Sequence, residues 1–412
     1  MWRSGIKEDD RAYTLDGVDL AKHEEFNKLE SGFLFDAVGL SVFSHNLADD
    51  RRLKFLKSRQ NAAPYDTFKL AILEGKVTYT TDTSGTEPYF WDTDGVQIRQ
   101  GAMRQNRNVP AKFHGLRAVF LEQLKAAIAG GADVILAGEF GCPSSENPTE
   151  NEALMGEIRD LIRAVEQPIF LVAGSRHTPS KPDCKSPYNA NVAMLFGGDP
   201  DHPDFEESLV EQPIGHFKRA PSISLMERIF SPESEMLPVY MTPFCNFGLL
   251  ICSDAFDTQI LFSFLRQNSL RHHRAQVILI PSFNKSDLFY DACRYLSYLS
   301  NATVIVLNSY SKPRFPEPAL RVFTAGFDMN ELPGCIDKKR QSEFADLSDG
   351  QIEKLIDSVK QNGMTPVKHG DLERCVAFYD VDRVMLETFS ERLARSGGPL
   401  LKRALKLEER DP

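Results

Sequence analysis

The chain has 412 residues, 42% of them hydrophobic and 26% charged, the balance of a soluble globular protein with room for a sizeable core. Its formal net charge of -10, with no lysine- or arginine-rich stretch set against it, argues against nonspecific nucleic-acid binding. No stretch approaches the roughly 18 apolar residues of a membrane span, and 1–20 holds no apolar run, so neither a membrane segment nor a signal peptide is expected.

In chain order, 22–28 and 49–57 are predicted helical, and Phe68-Lys69-Leu70-Ala71-Ile72-Leu73 fits a helix or a strand. The stretch 78–91 is rich in Thr, Asp, Gly and Pro and is predicted as loop or hairpin. Val96-Gln97-Ile98-Arg99-Gln100-Gly101-Ala102-Met103 alternates as a strand does. Leu116, Val119, Phe120, Leu124, Ala127 and Ile128 recur at helical spacing, and Gly130-Gly131 ends that helix. The apolar run 134–137 predicts a buried strand that closes on Glu139. A second helix carries Leu154, Ile158, Leu161, Ile162 and Val165 on one face, with strands after it at 169–173 and 192–196. Strand–helix alternation then gives way to consecutive strands, which predicts an α/β chain of sheets covered by helices. Pro313, Pro316 and Pro318 open the stretch 311–370, where 352–359 supplies a short helix. A strand at 373–381 and a helix at 384–405, broken at Gly397-Gly398-Pro399, follow.

Three residues stand out for chemistry. Glu139 and Cys252 each follow an apolar run, and Lys218 sits in Gly215-His216-Phe217-Lys218-Arg219-Ala220-Pro221. A thiol, a carboxylate and an ammonium supply a nucleophile, a proton carrier and an oxyanion stabiliser, the parts needed to attack a carbon bonded to nitrogen. A free thiol, with a pKa of about 8.5, is only a few per cent thiolate at neutral pH and needs a base or cation beside it. A cysteine in an apolar strand is usually an inert core residue, and a Glu or Lys at a strand end is usually solvated, so each alone carries little. The seven cysteines show no regular spacing and no C-x-x-C, so neither a disulfide framework nor a zinc site is predicted. The expected compartment is the reducing cytoplasm.

The segment Phe247-Gly248-Leu249-Leu250-Ile251-Cys252-Ser253-Asp254 resembles the nucleophile segment of the nitrilase (carbon–nitrogen hydrolase) superfamily, where the thiol sits on a strand-to-helix elbow. Gly131 through Glu139 is similar to that family's general-base strand, and Lys218, followed by Pro221 and Glu227-Arg228, to its lysine segment. Val277-Ile278-Leu279-Ile280-Pro281-Ser282, Arg294 through Asn301, and Val304-Ile305-Val306-Leu307-Asn308 continue the order. Gly138 departs from the pattern by standing where a proline commonly precedes the base, which is expected to loosen the aim of Glu139. Cys245, Ser253 and Ala255-Phe256-Asp257 depart as well, and leave the substrate open.

The resemblance implies a four-layer α-β-β-α sandwich at 95–385, interrupted at about 311–370, after an extension at 1–94 and before a helical tail at 386–412. It also implies catalytic roles for Glu139, Lys218 and Cys252, with the Ser253 backbone N–H completing an oxyanion hole. Glu227 resembles a second, orienting glutamate, although a surface ion pair with Arg228 explains it equally well. Phe140, Phe283 and Asn284 line the pocket by position, and Asp254 anchors the elbow. A small amide, nitrile, carbamoyl compound or glutamine amide is the expected substrate, with no cofactor or metal. A homo-oligomer sharing the C-terminal helix is expected. A catalytically idle scaffold used as an interaction module is the other reading.

Overall fold

The computed structural model describes residues 34–36, 65–75, 77–80, 89–92, 95–99, 113–145, 147–178, 190–198, 214–220, 222, 239–242, 244–257, 260–261, 275–284, 286–309, 320–329, 350, 353–354, 357–369 and 372–395. The helices predicted at 22–28 and 49–57, Glu227, and the chain beyond 395 lie outside them.

Two mixed sheets of seven strands and a small third sheet carry the α/β fold. In the first, β1 (Leu34–Asp36) pairs parallel with β10 (Val239–Met241), which turns antiparallel into β11 (Asn246–Leu249). β11, β12 (Val277–Ser282) and β13 (Thr303–Asn308) run parallel, and β14 (Leu320–Thr324) and β15 (Phe327–Asp328) close the edge antiparallel. In the second sheet β16 (Val359–His369), β17 (Leu372–Asp382) and β2 (Thr67–Leu73) are antiparallel. β2 then pairs parallel with β6 (Val134–Ala137), and β6 with β7 (Ile169–Thr178). β8 (Ala190–Gly198) and β9 (Ile214–Phe217) complete it antiparallel. The third sheet holds β3 (Val77–Thr80), β5 (Gly95–Arg99) and β4 (Tyr89–Asp92).

Alternation along the strands divides the core in two. Leu70, Ile72, Val134, Leu136, Phe170 and Val172 share one buried cluster with Phe247, Leu249, Val277 and Leu279 of the other sheet. Phe170 stacks on Phe247 with ring centres 5.2 Å apart, so side chains of the two sheets touch directly. The intervening residues Ala71, Leu73, Ile135, Ala137, Leu171 and Ala173 pack instead on helices α1 (Phe113–Ala129) and α2 (Pro148–Arg163). α1 ends in a Schellman arrangement: Gly131 has φ +72°, its N–H donates to Ile128 and that of Ala132 to Ala127. α2 starts at the Asn147 cap with Pro148 in its first turn. α3 (Asp287–Ser300) is capped by the Ser286 hydroxyl and stopped by left-handed Asn301. Among the described residues no helix is long and apolar enough to cross a membrane.

The boundaries differ from those expected. Residues 67–73, set apart with an extension at 1–94, form β2 inside the second sheet, between β17 and β6. Of the alternating run at 96–103, expected to open the domain, residues 96–99 fall in β5 of the small sheet, between β2 and α1 in chain order. Within 311–370, β14, β15 and β16 lie in the two main sheets. At 352–359, residues 353–354 are helical and Val359 already opens β16. A short apolar run has no periodicity that separates a buried strand from a buried helix, and pairing partners are remote in sequence. The helix α4 (Arg383–Arg395) is no free tail: Leu386 and Phe389 are buried in the core, with Phe389 5.9 Å from Phe327.

Leu70 therefore discriminates. Leu70→Ala is expected to lower the unfolding free energy by about 2–5 kcal/mol, as for a buried leucine, when read from denaturant midpoints. A loss below about 0.5 kcal/mol, typical of a surface site, would set 67–73 outside the core.

Candidate active site

The parallel strands of both sheets deliver their C-terminal ends to one place, where ligand sites of open α/β sheets commonly lie. Glu139 follows β6, Phe283 follows β12, and the Cys252 turn follows β11 by two residues. Lys218 directly follows β9. Glu139 and Lys218 are both 0% exposed and Cys252 is 2% exposed.

Lys218 Nζ donates to Glu139 Oε1 at 2.7 Å, an ion pair with no solvent on either side chain. The other carboxylate oxygen, Oε2, accepts the Phe283 backbone N–H at 2.8 Å. The Cys252 thiol donates to the Phe283 carbonyl at 3.6 Å, close enough to the Glu139 carboxylate for that charge to act on the sulfur. Burial, and then the Glu139 charge, push the Cys252 thiol well above the usual thiol range, while Lys218 acts in the opposite direction. The resting sulfur thus holds its proton beside a carboxylate that can take it.

The backbone at the site is strained. Cys252 has φ +46° at the head of a short 3-10 helix, Cys252–Phe256, and Phe140, next to Glu139, has φ +60°. Non-glycine residues in this region cost of order 1–3 kcal/mol and persist only where their surroundings hold them. Asp254 supplies such a hold. Its Oδ2 accepts the Ile251 N–H at 2.9 Å, and its Oδ1 accepts those of Arg219 at 2.9 Å and Ala220 at 2.8 Å. One buried carboxylate thereby ties the thiol turn to the lysine segment. Burial raises Asp254 to about 6 against these donors, which favour its charged form. Ser253 adds a second tie, its hydroxyl donating to the Ala220 carbonyl at 2.5 Å.

Of the residues expected to line a pocket, Phe140 and Phe283 are buried and meet edge to face at 6.0 Å. Half-buried Asn284 brings its Nδ2 to 3.9 Å from Cys252 Sγ. The backbone of Phe283 matters as much as its ring, since its N–H and C=O reach Glu139 and Cys252. No sequence pattern marks a backbone group. A Cβ at Gly138 would lie 1.9 Å from Ser309 Oγ, so a side chain there would make the Ser309 hydroxyl move. Glu139 itself is held by Lys218 and the Phe283 N–H. Among the described residues no group of His, Cys, Asp and Glu could hold a metal ion.

No protein-family model and no curated protein matches the chain. Among solved structures, it is similar to an amidase of the nitrilase superfamily from Nesterenkonia AN1, at 14% identity and a TM-score of 0.41 over 79% of this chain and 95% of that one. It is also similar to Saccharomyces cerevisiae Nit3, a member of branch 10 of the nitrilase superfamily, at 12% identity and a TM-score of 0.45 over 80% and 96%. A variant of the Nesterenkonia amidase bearing the acetamide moiety of fluoroacetamide on its active-site cysteine gives 13% identity and a TM-score of 0.43 over 80% and 95%.

Breaking a fully buried ion pair leaves an uncompensated charge, which costs about 3–5 kcal/mol. Lys218→Met and Glu139→Gln are each expected to destabilise on that scale, and the double variant by clearly less than the sum. Denaturant unfolding of the four proteins reads this directly. Additive losses would show that the two side chains are not coupled.

Proposed function

We propose that this chain is a nitrilase-type hydrolase of a non-peptide carbon–nitrogen bond, its two sheets face to face in an α-β-β-α sandwich. The observation that carries the reading is the water-excluded contact of Cys252, Glu139 and Lys218, each delivered by a different segment. Catalysis begins when the thiol proton passes to Glu139 and the sulfur bonds to the substrate's amide or nitrile carbon. Lys218 and the Ser253 backbone N–H stabilise the charge that develops on the substrate's oxygen or nitrogen. For an amide, the carbon–nitrogen bond then breaks, Glu139 returns the proton to the leaving nitrogen, and a thioester remains on Cys252; a nitrile gives a thioimidate. From the thioimidate a first water adds and ammonia leaves, which gives the same thioester; water then attacks the thioester carbon as Glu139 takes its proton. The carbon–sulfur bond breaks, the proton returns to sulfur, and the acid leaves.

Glu139 can serve both half-reactions because its lone pairs are divided among partners. Lys218 and the Phe283 N–H hold the carboxylate in place, and its charge acts on the Cys252 thiol. A carboxylate so oriented pays little reorganisation at the moment of proton transfer.

The test is ammonia release from a panel of short amides, nitriles and carbamoyl compounds, with intact-mass analysis of the protein during turnover. An adduct on Cys252 is expected. Cys252→Ala should lose several orders of magnitude in rate, and Lys218→Met about 2.7–4 kcal/mol of transition-state stabilisation. An active Cys252→Ala variant would sink the mechanism, and a panel without turnover or adduct favours the idle scaffold.

A further inference from the structure

Asn308, the last residue of β13, ends a run of buried apolar residues and is itself 8% exposed. Its side-chain amide grips a backbone unit. Oδ1 accepts the Asn284 N–H at 3.1 Å, and Nδ2 donates to the Asn284 carbonyl at 2.9 Å. The same Nδ2 donates to the Tyr290 hydroxyl at 2.8 Å. Tyr290 is held in turn, with the Arg321 guanidinium carbon 4.1 Å from its ring centre and Arg321 paired to Asp328 at 3.2 Å. The amide therefore has fixed partners on both of its polar atoms, and cannot turn without breaking buried hydrogen bonds.

What it grips decides its importance. Asn284 follows Phe283, whose N–H donates to Glu139 Oε2 and whose carbonyl faces the Cys252 thiol. Asn284 itself reaches toward the sulfur and caps the turn into α3, its Oδ1 accepting the Ser286 N–H at 2.8 Å. The strand pairing between β12 and β13 stops at Ser282 and Asn308, so regular sheet bonds do not hold Phe283 and Asn284. The Asn308 amide continues the ladder with a side chain in place of a backbone.

We propose that Asn308 is a positioning residue of this site, which aims the Phe283 N–H at the Glu139 carboxylate and the Phe283 carbonyl at the Cys252 thiol. The inference rests on the proposed carboxylate–thiol chemistry and extends it to a residue which that chemistry does not involve. An N–H donor to a carboxylate favours its charged form, so its loss moves proton uptake by that carboxylate to higher pH.

The experiment alkylates the full-length protein with 2-chloroacetamide across a pH series and follows the adduct on Cys252 by peptide mass. Wild type should show an acid limb, below which labelling fails, and Glu139→Gln should abolish that limb. Asn308→Ala is expected to label about 10–100-fold more slowly, the scale of a small misplacement, with its acid limb at higher pH. Tyr290→Phe loosens the amide without removing it, and should shift the limb the same way by less. That milder variant decides the matter if Asn308→Ala does not fold. A purely structural role would reduce the folded fraction and leave the limb in place, so wild-type limbs in the variants overturn the inference alone. A wild type without a Glu139-dependent limb overturns the carboxylate–thiol reading and this inference with it.

Discussion

Everything at this site depends on one contact, the ion pair between Glu139 and Lys218, from which solvent is wholly excluded. Two opposite charges survive in an apolar interior only when they are paired and their remaining polar groups are satisfied. Here the second carboxylate oxygen takes the Phe283 N–H, and the Cys252 thiol lies within reach of the same charge. Four segments far apart in the chain are thus committed to one position. Such a pair is a weak device for stability, because apolar residues of similar volume often serve as well. In the proposed hydrolase it would serve proton transfer instead, since burial and charged neighbours tune a carboxylate for that task.

The fold makes this contact possible by topology. β6 lies in one sheet and β11, β12 and β13 in the other, and the ends of these strands meet where side chains of the two sheets touch. Strand ends alone would leave the thiol turn free to relax from its left-handed conformation. Asp254 prevents this by joining three backbone N–H groups from two segments. Buried polar bonds therefore help to hold the site together with the strand ends. A conservative change at Asp254 acts on the geometry of Cys252 and on the lysine segment together.

Much of the architecture was legible in local pattern. The helices at α1 and α2 carry the 3.6-residue period, and α1 its own stop signal, Gly130-Gly131. The buried strands β6, β12 and β13 announce themselves as apolar runs. What misled was β2, whose apolar run suits a helix or a strand, and the run at 96–103, whose alternation is clean but whose pairing is with the small sheet. Periodicity reports which face of an element is buried, and not which element covers it.

The site divides in the same way. The sequence by itself determined the chemical parts: a thiol, a carboxylate and an ammonium at the ends of recognisable segments, with Asp254 beside the thiol. Those residue types carry their chemistry wherever they stand. Only the tertiary structure decided that Glu139 and Lys218 lose all solvent together. It also decided that Gly138 packs against Ser309, and that the Phe283 backbone and the Asn308 amide complete the arrangement. The reason is that backbone donors and close approaches have no residue signature. They are properties of two distant segments brought within a hydrogen bond of each other, which no local stretch of chain encodes alone.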